Sequence, residues 1–272
     1  MKDKYNWIVF SDLDGTLLDA DDYSFAAAQP GLDLLRRRKI PLIPCTSKTY
    51  KEVIEIRRQL GLSHPFIIEN GSAVIFPREA FENLPESALV LDEYVVFSLG
   101  KPYDETVRFL HKLKAHFHLN LRGFSEMNLE EISRLTNMEK EQAALAAERL
   151  FSEPFIAPEK IENFNALREF AVKHGFRLLR GNRFYHLLGQ SDKGLAVKKA
   201  IELYQASGFQ RLRSLGLGDS PNDFEMFLQV DQPVLIKRPS GDYAETGPVG
   251  SMFYSQKTGP RGWTEAVFHF IE

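Results

Sequence analysis

Trp7-Ile8-Val9-Phe10 is an unbroken apolar run that ends directly in Ser11-Asp12-Leu13-Asp14-Gly15-Thr16. So short a run without polar alternation predicts a strand buried on both faces, the situation of a parallel sheet covered by helices. The pattern then repeats. Phe25 to Arg38 reads as a helix with a basic last turn, Ile40 to Cys45 as a second strand, and Thr49 to Leu60 as a helix capped by Gly61. Phe66-Ile67-Ile68 is expected as a third strand ending in Glu69-Asn70-Gly71. Strand, helix, strand, helix, strand is half of a doubly wound α/β sheet.

After about Pro85 the rhythm changes. A strand at Tyr94 to Leu99, helices at Tyr103 to Phe117, Leu129 to Leu135, Lys140 to Phe151 and Ile161 to His174, and strands at Phe176 to Leu179 and Phe184 to Leu188 follow one another. These suffice for a small α+β domain of their own. The first rhythm returns with a helix at Gly194 to Gln205, a strand at Ser214 to Leu217, a helix at Asn222 to Leu228, a strand at Pro233 to Lys237 and a last helix from Thr264. The expected organisation is therefore a discontinuous core, residues 1–87 and 190–272, interrupted by an inserted domain at 88–189. The Gly-, Pro- and Ser-rich stretch from Pro239 to Gly262 is expected as a loop.

In such sheets ligands bind at the carboxyl ends of the strands, and the polar motifs fall there. Asp12 and Asp14 follow the first strand, with Gly15 allowing a sharp departure of the backbone. Thr46, Ser47 and Lys48 follow the second. Lys193 stands just before a helix, and Gly218-Asp219-Ser220-Pro221-Asn222-Asp223 follows a later strand. Paired carboxylates on neighbouring strand ends call for a cation, and hard oxygen donors suit Mg²⁺. Mg²⁺ and Lys193 would neutralise phosphoryl oxygens so that an anionic Asp12 can approach, while Thr46 or Ser47, the former directly after the strand, donates to one of them. Displacing an alkoxide requires a proton donor and displacing halide does not, so Asp14 favours phosphoryl transfer over dehalogenation.

The order D-x-D-G-T, Thr/Ser after the second strand, Lys before a helix, and G-D-x-x-N-D resembles the four motifs of the haloacid dehalogenase superfamily, and the insert resembles its large α/β cap. The segments Phe10 to Asp19, Thr46 to Thr49, Glu69 to Gly71, Arg122 to Met127, Arg183 to His186 and Gly216 to Asp223 resemble more closely the mannosyl-3-phosphoglycerate phosphatase family. The resemblance implies Asp12 as nucleophile, Asp14 as general acid/base, and Thr46 and Lys193 as phosphoryl binders. It also implies a Mg²⁺ held by Asp12, Asp219 and the backbone carbonyl of Asp14, with Asp223 and Asn222 adjoining. Ser47, Lys48, Asn70, Gly71, Asn222 and the cap residues Arg122, Arg183 and His186 are the expected substrate contacts, and the expected substrate is a small phosphorylated metabolite of the hexosyl-3-phosphoglycerate type. A phosphomutase or phosphotransferase on the same chemistry, and a silent binding module on the same fold, stay open.

A formal net charge of −3 gives no general attraction to nucleic acid or anionic membrane. The N-terminal segment is too short and polar for a signal peptide, and no run approaches the roughly eighteen apolar residues of a membrane span. The single cysteine, Cys45, closes an apolar strand and reads as a core residue of a reduced, cytoplasmic protein. Arg36 to Lys39 ends a helix, where cations complement its dipole, and His116 with His118 lacks a third ligand in sequence.

Overall fold

A computed structural model describes residues 6–80, 89–181, 183–206, 208–209 and 211–272. The chain opens with β1 (Asn6–Ser11), passes a short 3-10 turn at Ala26–Ala28, and forms α1 (Gln29–Arg38) with Pro30 in its first turn, where no N–H is needed. β2 (Leu42–Pro44) and α2 (Tyr50–Leu60) follow. Thr49 caps α2 with Glu52 in a reciprocal capping box, and Gly61 ends it in the left-handed conformation.

β3 (Phe66–Ile68) departs from the expected pattern. It meets the end of the second strand through one parallel bridge, Cys45 to Ile67, and otherwise starts an antiparallel sheet with β4 (Ala73–Pro77), β5 (Leu89–Leu91) and β6 (Tyr94–Ser98), ordered β3-β4-β6-β5. β4 was not read from the sequence: Ala73 to Phe76 is buried without alternation, directly after a turn motif, and so gave no separate periodicity.

The insert contains α3 (Tyr103–Phe117), β7 (Arg122–Gly123), α4 (Leu129–Thr136), α5 (Lys140–Ala147), β8 (Glu153–Ile156), α6 (Phe164–Lys173), β9 (Phe176–Arg180) and β10 (Tyr185–Gly189). The helix expected to reach Phe151 stops at Ala147, and Pro154 lies in a strand instead. A four-stranded sheet β7-β8-β10-β9 packs its apolar face on α3 and α6 through Phe109, Leu113, Phe155, Leu167 and Leu187.

The core resumes with α7 (Lys193–Ala206), β11 (Leu212–Gly218), α8 (Phe224–Phe227), β12 (Gln232–Lys237), β13 (Phe253–Thr258) and α9 (Gly259–Ile271). The main sheet is all parallel, ordered β13-β12-β11-β1-β2, so β1 lies inside it with β11 on one side and β2 on the other. The stretch expected as a loop to Gly262 thus holds a strand and the start of a helix. β13 is a half-exposed edge strand whose residues Tyr-Ser-Gln-Lys carry little apolar signal, and Gly-Pro at 259–260 is compatible with a helix's first turn. The last helix consequently begins at Gly259 rather than Thr264, which buries Trp263 completely and lets its indole N–H donate to Ser11 Oγ at 3.0 Å.

The expected boundary at 87/88 lies at the edge of residues 81–88, outside the described residues. β5 and β6 pair with β4 and not with the insert's sheet. We propose to count the inserted domain from residue 101, after the Gly100 N–H donates to Ser72 O at 2.8 Å, to residue 189. Leu150 and Phe151 of the insert pack against Tyr50, Val53, Phe66 and Ile68 of the core, so the two domains share one apolar cluster. Among the described residues no helix is long and apolar enough to cross a membrane.

Phe151 is 6 % exposed in that shared cluster. Phe151→Ala should destabilise the protein by about 3–5 kcal/mol in chemical denaturation, the usual effect of removing a buried aromatic ring. A change below about 1 kcal/mol would mean that the seam is open in solution.

Candidate active site

β1 delivers Asp12 to the carboxyl edge of the sheet, where its N–H bonds to Leu217 O of β11 at 2.9 Å. Gly15, with φ +77°, turns the chain away, and a Cβ there would lie 2.7 Å from Asp219 Oδ2. Lys193 opens α7. Asp192 caps that helix by accepting the Leu195 N–H at 2.8 Å, and Arg177 holds its other oxygen at 2.7 Å. The ammonium of Lys193, 1 % exposed, then reaches Asp12 Oδ1 at 2.7 Å and Asp223 Oδ1 at 2.6 Å. Asp223 is fixed in turn, its Oδ2 accepting the N–H groups of Asp219 and Ser220 at 3.1 and 3.0 Å.

The carboxylates of Asp12, Asp219 and Asp223 offer oxygens within 4.8 Å of one another. Three carboxylates thus surround one ammonium. Burial pushes the Asp12 carboxyl well up, Lys193 pulls it down, and Asp223 and Asp219 push it up again. Burial, then Asp223, raises Asp219 to about 7. A divalent cation would relieve the imbalance, and an all-oxygen donor set fits a hard one. Lys193 is held above its ordinary range, because its carboxylates, Asp12 first, outweigh the burial that opposes its charge.

Asp14 carries the other half of the loop. Its Oδ2 pairs with Lys48 Nζ at 2.9 Å and its Oδ1 is a buried atom without a hydrogen-bond partner, so its carboxylate stands apart from the three-carboxylate group. Burial opposes the charge of Lys48, but Asp14 and then Glu52 hold it above its usual range. Thr46 is buried, and its hydroxyl accepts the Lys48 N–H at 3.2 Å, which leaves its own proton to donate. Ser47 lies on the cleft wall.

The cleft has two adjoining lobes. One, of about 190 Å³, is lined by Asp12, Asp14, Asn70, Asp219, Asn222 and Arg180 among others. The second, of about 270 Å³, lies under the insert, with Lys48, Phe124, Arg149 and Arg183 in its wall. Asp14, Ser47, His186 and Asp219 border both. Asn222 donates to Asn70 Oδ1 at 3.0 Å, and Gly71, φ +87°, passes so close to Asp192 that a Cβ would sit 2.1 Å from its carbonyl oxygen.

The expected cap contacts divide. His186 lies on the cleft wall with its Nδ1 buried and without a partner, and burial, then Arg149, pushes its ring down to about 3, so the imidazole is neutral. Arg183 lines the cleft and donates to Thr136 O. Arg122 is not brought to it: its guanidinium forms a two-pronged pair with Glu131 at 3.0 and 3.1 Å inside the insert. Two residues were missed. Glu69, at φ +47° and fully buried, accepts the N–H groups of Leu150, Phe151 and Ser152 at 2.8, 3.2 and 2.7 Å. Arg149, which follows, was read as part of a continuing helix; the Glu153-Pro154 pair after it is the signal that the helix had ended.

This parallel sheet with acidic loops at its carboxyl edge and an inserted domain defines a class, and residues 9–95 match the haloacid dehalogenase-like hydrolases. Over 97 % of both chains the sequence is 39 % identical to the glucosyl-3-phosphoglycerate/mannosyl-3-phosphoglycerate phosphatase of Persephonella marina and 34 % identical to that of Methanococcoides burtonii. The chain belongs to this phosphatase family within the haloacid dehalogenase-like hydrolases. The fold is shared with a solved Thermoplasma acidophilum protein (TM-score 0.66, 18 % identity, 98 % and 99 % of the two chains). It is shared also with a haloacid dehalogenase-like hydrolase of Bacillus subtilis (TM-score 0.64, 15 % identity, 97 % and 99 %).

A carboxyl raised to about 7 when folded and near 3.9 when unfolded binds more protons in the folded state between those values, so stability falls as pH rises through that window. The metal-free protein should therefore lose thermal stability between about pH 4 and 7, and added divalent cation should restore it most above pH 7. Melting curves in EDTA and in excess cation test this, and a stability that rises with pH in EDTA would contradict it.

Proposed function

We propose that this chain releases inorganic phosphate from mannosyl-3-phosphoglycerate, and from its glucosyl counterpart, through a phosphorylated Asp12. The observation that carries the reading is the ammonium of Lys193 set between Asp223 and Asp12, the latter on the wall of a lobe that Arg180 and His186 of the insert also line. Support for the substrate class is the name carried by the two relatives.

In this reading Asp12 attacks phosphorus, and Lys193 and the Thr46 hydroxyl bind phosphoryl oxygens. Asp14, held by Lys48 at 2.9 Å, protonates the departing glycerate oxygen and later takes a proton from the water that hydrolyses the acyl phosphate. Asp12, Asp219 and the backbone carbonyl of Asp14 would hold Mg²⁺, with Asp223 and Asn222 adjoining. When bound it neutralises charge on the phosphoryl oxygens. Asn70, Gly71, Ser47 and Asn222 line or brace the phosphate lobe, while His186 and Arg183 face the glycosyl-glycerate portion. A reduced, cytoplasmic setting belongs to this reading, supported by the buried free thiol of Cys45.

A phosphate-release screen with Mg²⁺ over hexosyl phosphoglycerates and simple hexose phosphates should show the former turned over with the higher kcat/KM. Asp12→Asn should lower that rate by about 10⁴-fold or more; a tenth of the parent activity surviving would move the nucleophile elsewhere. Asp14→Asn should lose turnover of the sugar substrates far more than of p-nitrophenyl phosphate, whose leaving group needs no proton. Equal losses on the two would remove Asp14 from the acid role.

A further inference from the structure

Arg149 is a guanidinium that the insert buries almost completely, at 8 % exposure, yet it forms part of the cleft wall. Its Nε donates to Ser152 O at 3.2 Å and lies 3.4 Å from Glu69 Oε2. Its Nη2 donates to Ser152 Oγ at 2.6 Å and to Ser47 O at 3.1 Å. None of these contacts engages Nη1. The group is thus held rigidly from two sides, by the insert's own backbone and by the core loop that carries Thr46 and Ser47, and a cation so restrained loses little freedom when it binds.

Its surroundings set the ligand. His186, beside it on the same wall, offers a neutral ring with an unpartnered buried nitrogen, suited to a hydroxyl and not to an anion. Among the described residues Glu69 is the one carboxylate in ion-pair contact with Arg149, and it already accepts three backbone N–H groups and the Ser152 hydroxyl. Arg122 is occupied by Glu131, and Arg183 is exposed.

We propose that Arg149 is the residue that reads the carboxylate of the substrate's leaving group, with His186 beside it taking a neighbouring hydroxyl. The proposal rests on the hexosyl phosphoglycerate reading of the site. A glyceryl phosphate separates carboxylate and phosphate by a short carbon chain, and Ser47 lies between the lobe containing Asp12 and the lobe containing Arg149. Specificity then comes from an arginine fixed across the seam and not from Arg122, which Glu131 holds within the insert.

The test compares kcat/KM for a hexosyl-3-phosphoglycerate with kcat/KM for the same compound whose carboxylate is reduced to an alcohol. In the parent enzyme the acid should be preferred, and Arg149→Gln should shrink that ratio by about 10- to 100-fold, the usual worth of a charged hydrogen bond. Arg149→Lys should keep part of it. Ser152→Ala loosens the tether and leaves the guanidinium, so it should retain the ratio even if both rates fall. Parallel loss on acid and alcohol in Arg149→Gln, or transfer of the ratio's collapse to Arg180→Gln or Arg183→Gln, would overturn the assignment. Should the parent hydrolyse no hexosyl phosphoglycerate, the function proposed above falls separately. The pair 3-phosphoglycerate and glycerol 3-phosphate then puts the same question to Arg149, which stands if the acid preference is present and lost in Arg149→Gln and falls otherwise.

Discussion

The contact on which the active end of the molecule depends is the ammonium of Lys193 lodged between Asp12 and Asp223. It joins β1 to the start of α7 and to the loop after β11, elements separated by most of the chain. A lysine at the first position of a helix sits against the positive end of the helix dipole, and it is buried as well. Both effects oppose its charge, so it is stable there only because two carboxylates face it at hydrogen-bond distance. Neither carboxylate would tolerate burial without it. The same fact leaves the site with surplus negative charge, since Asp219 joins the group. Three carboxylates kept against one ammonium make a group of oxygens that could hold a cation.

The insert is joined to this floor by more than its two crossings. Glu69 adopts a left-handed backbone conformation that disfavours a residue with a Cβ, at about 1 kcal/mol or more. Its carboxylate offsets that by accepting three consecutive N–H groups of residues 150–152, in a cradle that the insert provides and the core fills. Phe151 then packs in the apolar cluster of the core. One flank of the insert is therefore seated on the core beside the lobe that Asp12 lines.

The parallel sheet and the acidic loops at its carboxyl edge were legible because each rests on a local rule. Continuous apolar strands, capped helices and polar residues at strand ends announce themselves within a few positions, which is why Asp12, Asp14, Lys193, Asp219 and Asp223 could be named together. What escaped were features set by distant partners. β3 looks like any buried strand, and only its pairing with β4 takes it out of the parallel sheet. β13 is an edge strand, polar on its open side, so its sequence resembles the loop before it. Arg122 stands beside a glycine in a loop that looks made for a ligand, but Glu131, nine residues on, captures it.

Arg149 escaped for the converse reason. It follows an Ala-rich helix and precedes Leu-Phe, so apart from Pro154 five residues on, nothing local distinguishes it from a helical arginine on a solvated face. Its position is decided by Ser47, 102 residues earlier, and by Glu69, about eighty residues earlier, through bonds that no spacing rule predicts. Asp12, Asp14 and Asp219 follow strand ends and Lys193 opens a helix, places where sequence order and spatial order agree. Arg149 sits at the seam between two domains, where they do not. A single chain can therefore disclose its chemistry long before it discloses its substrate.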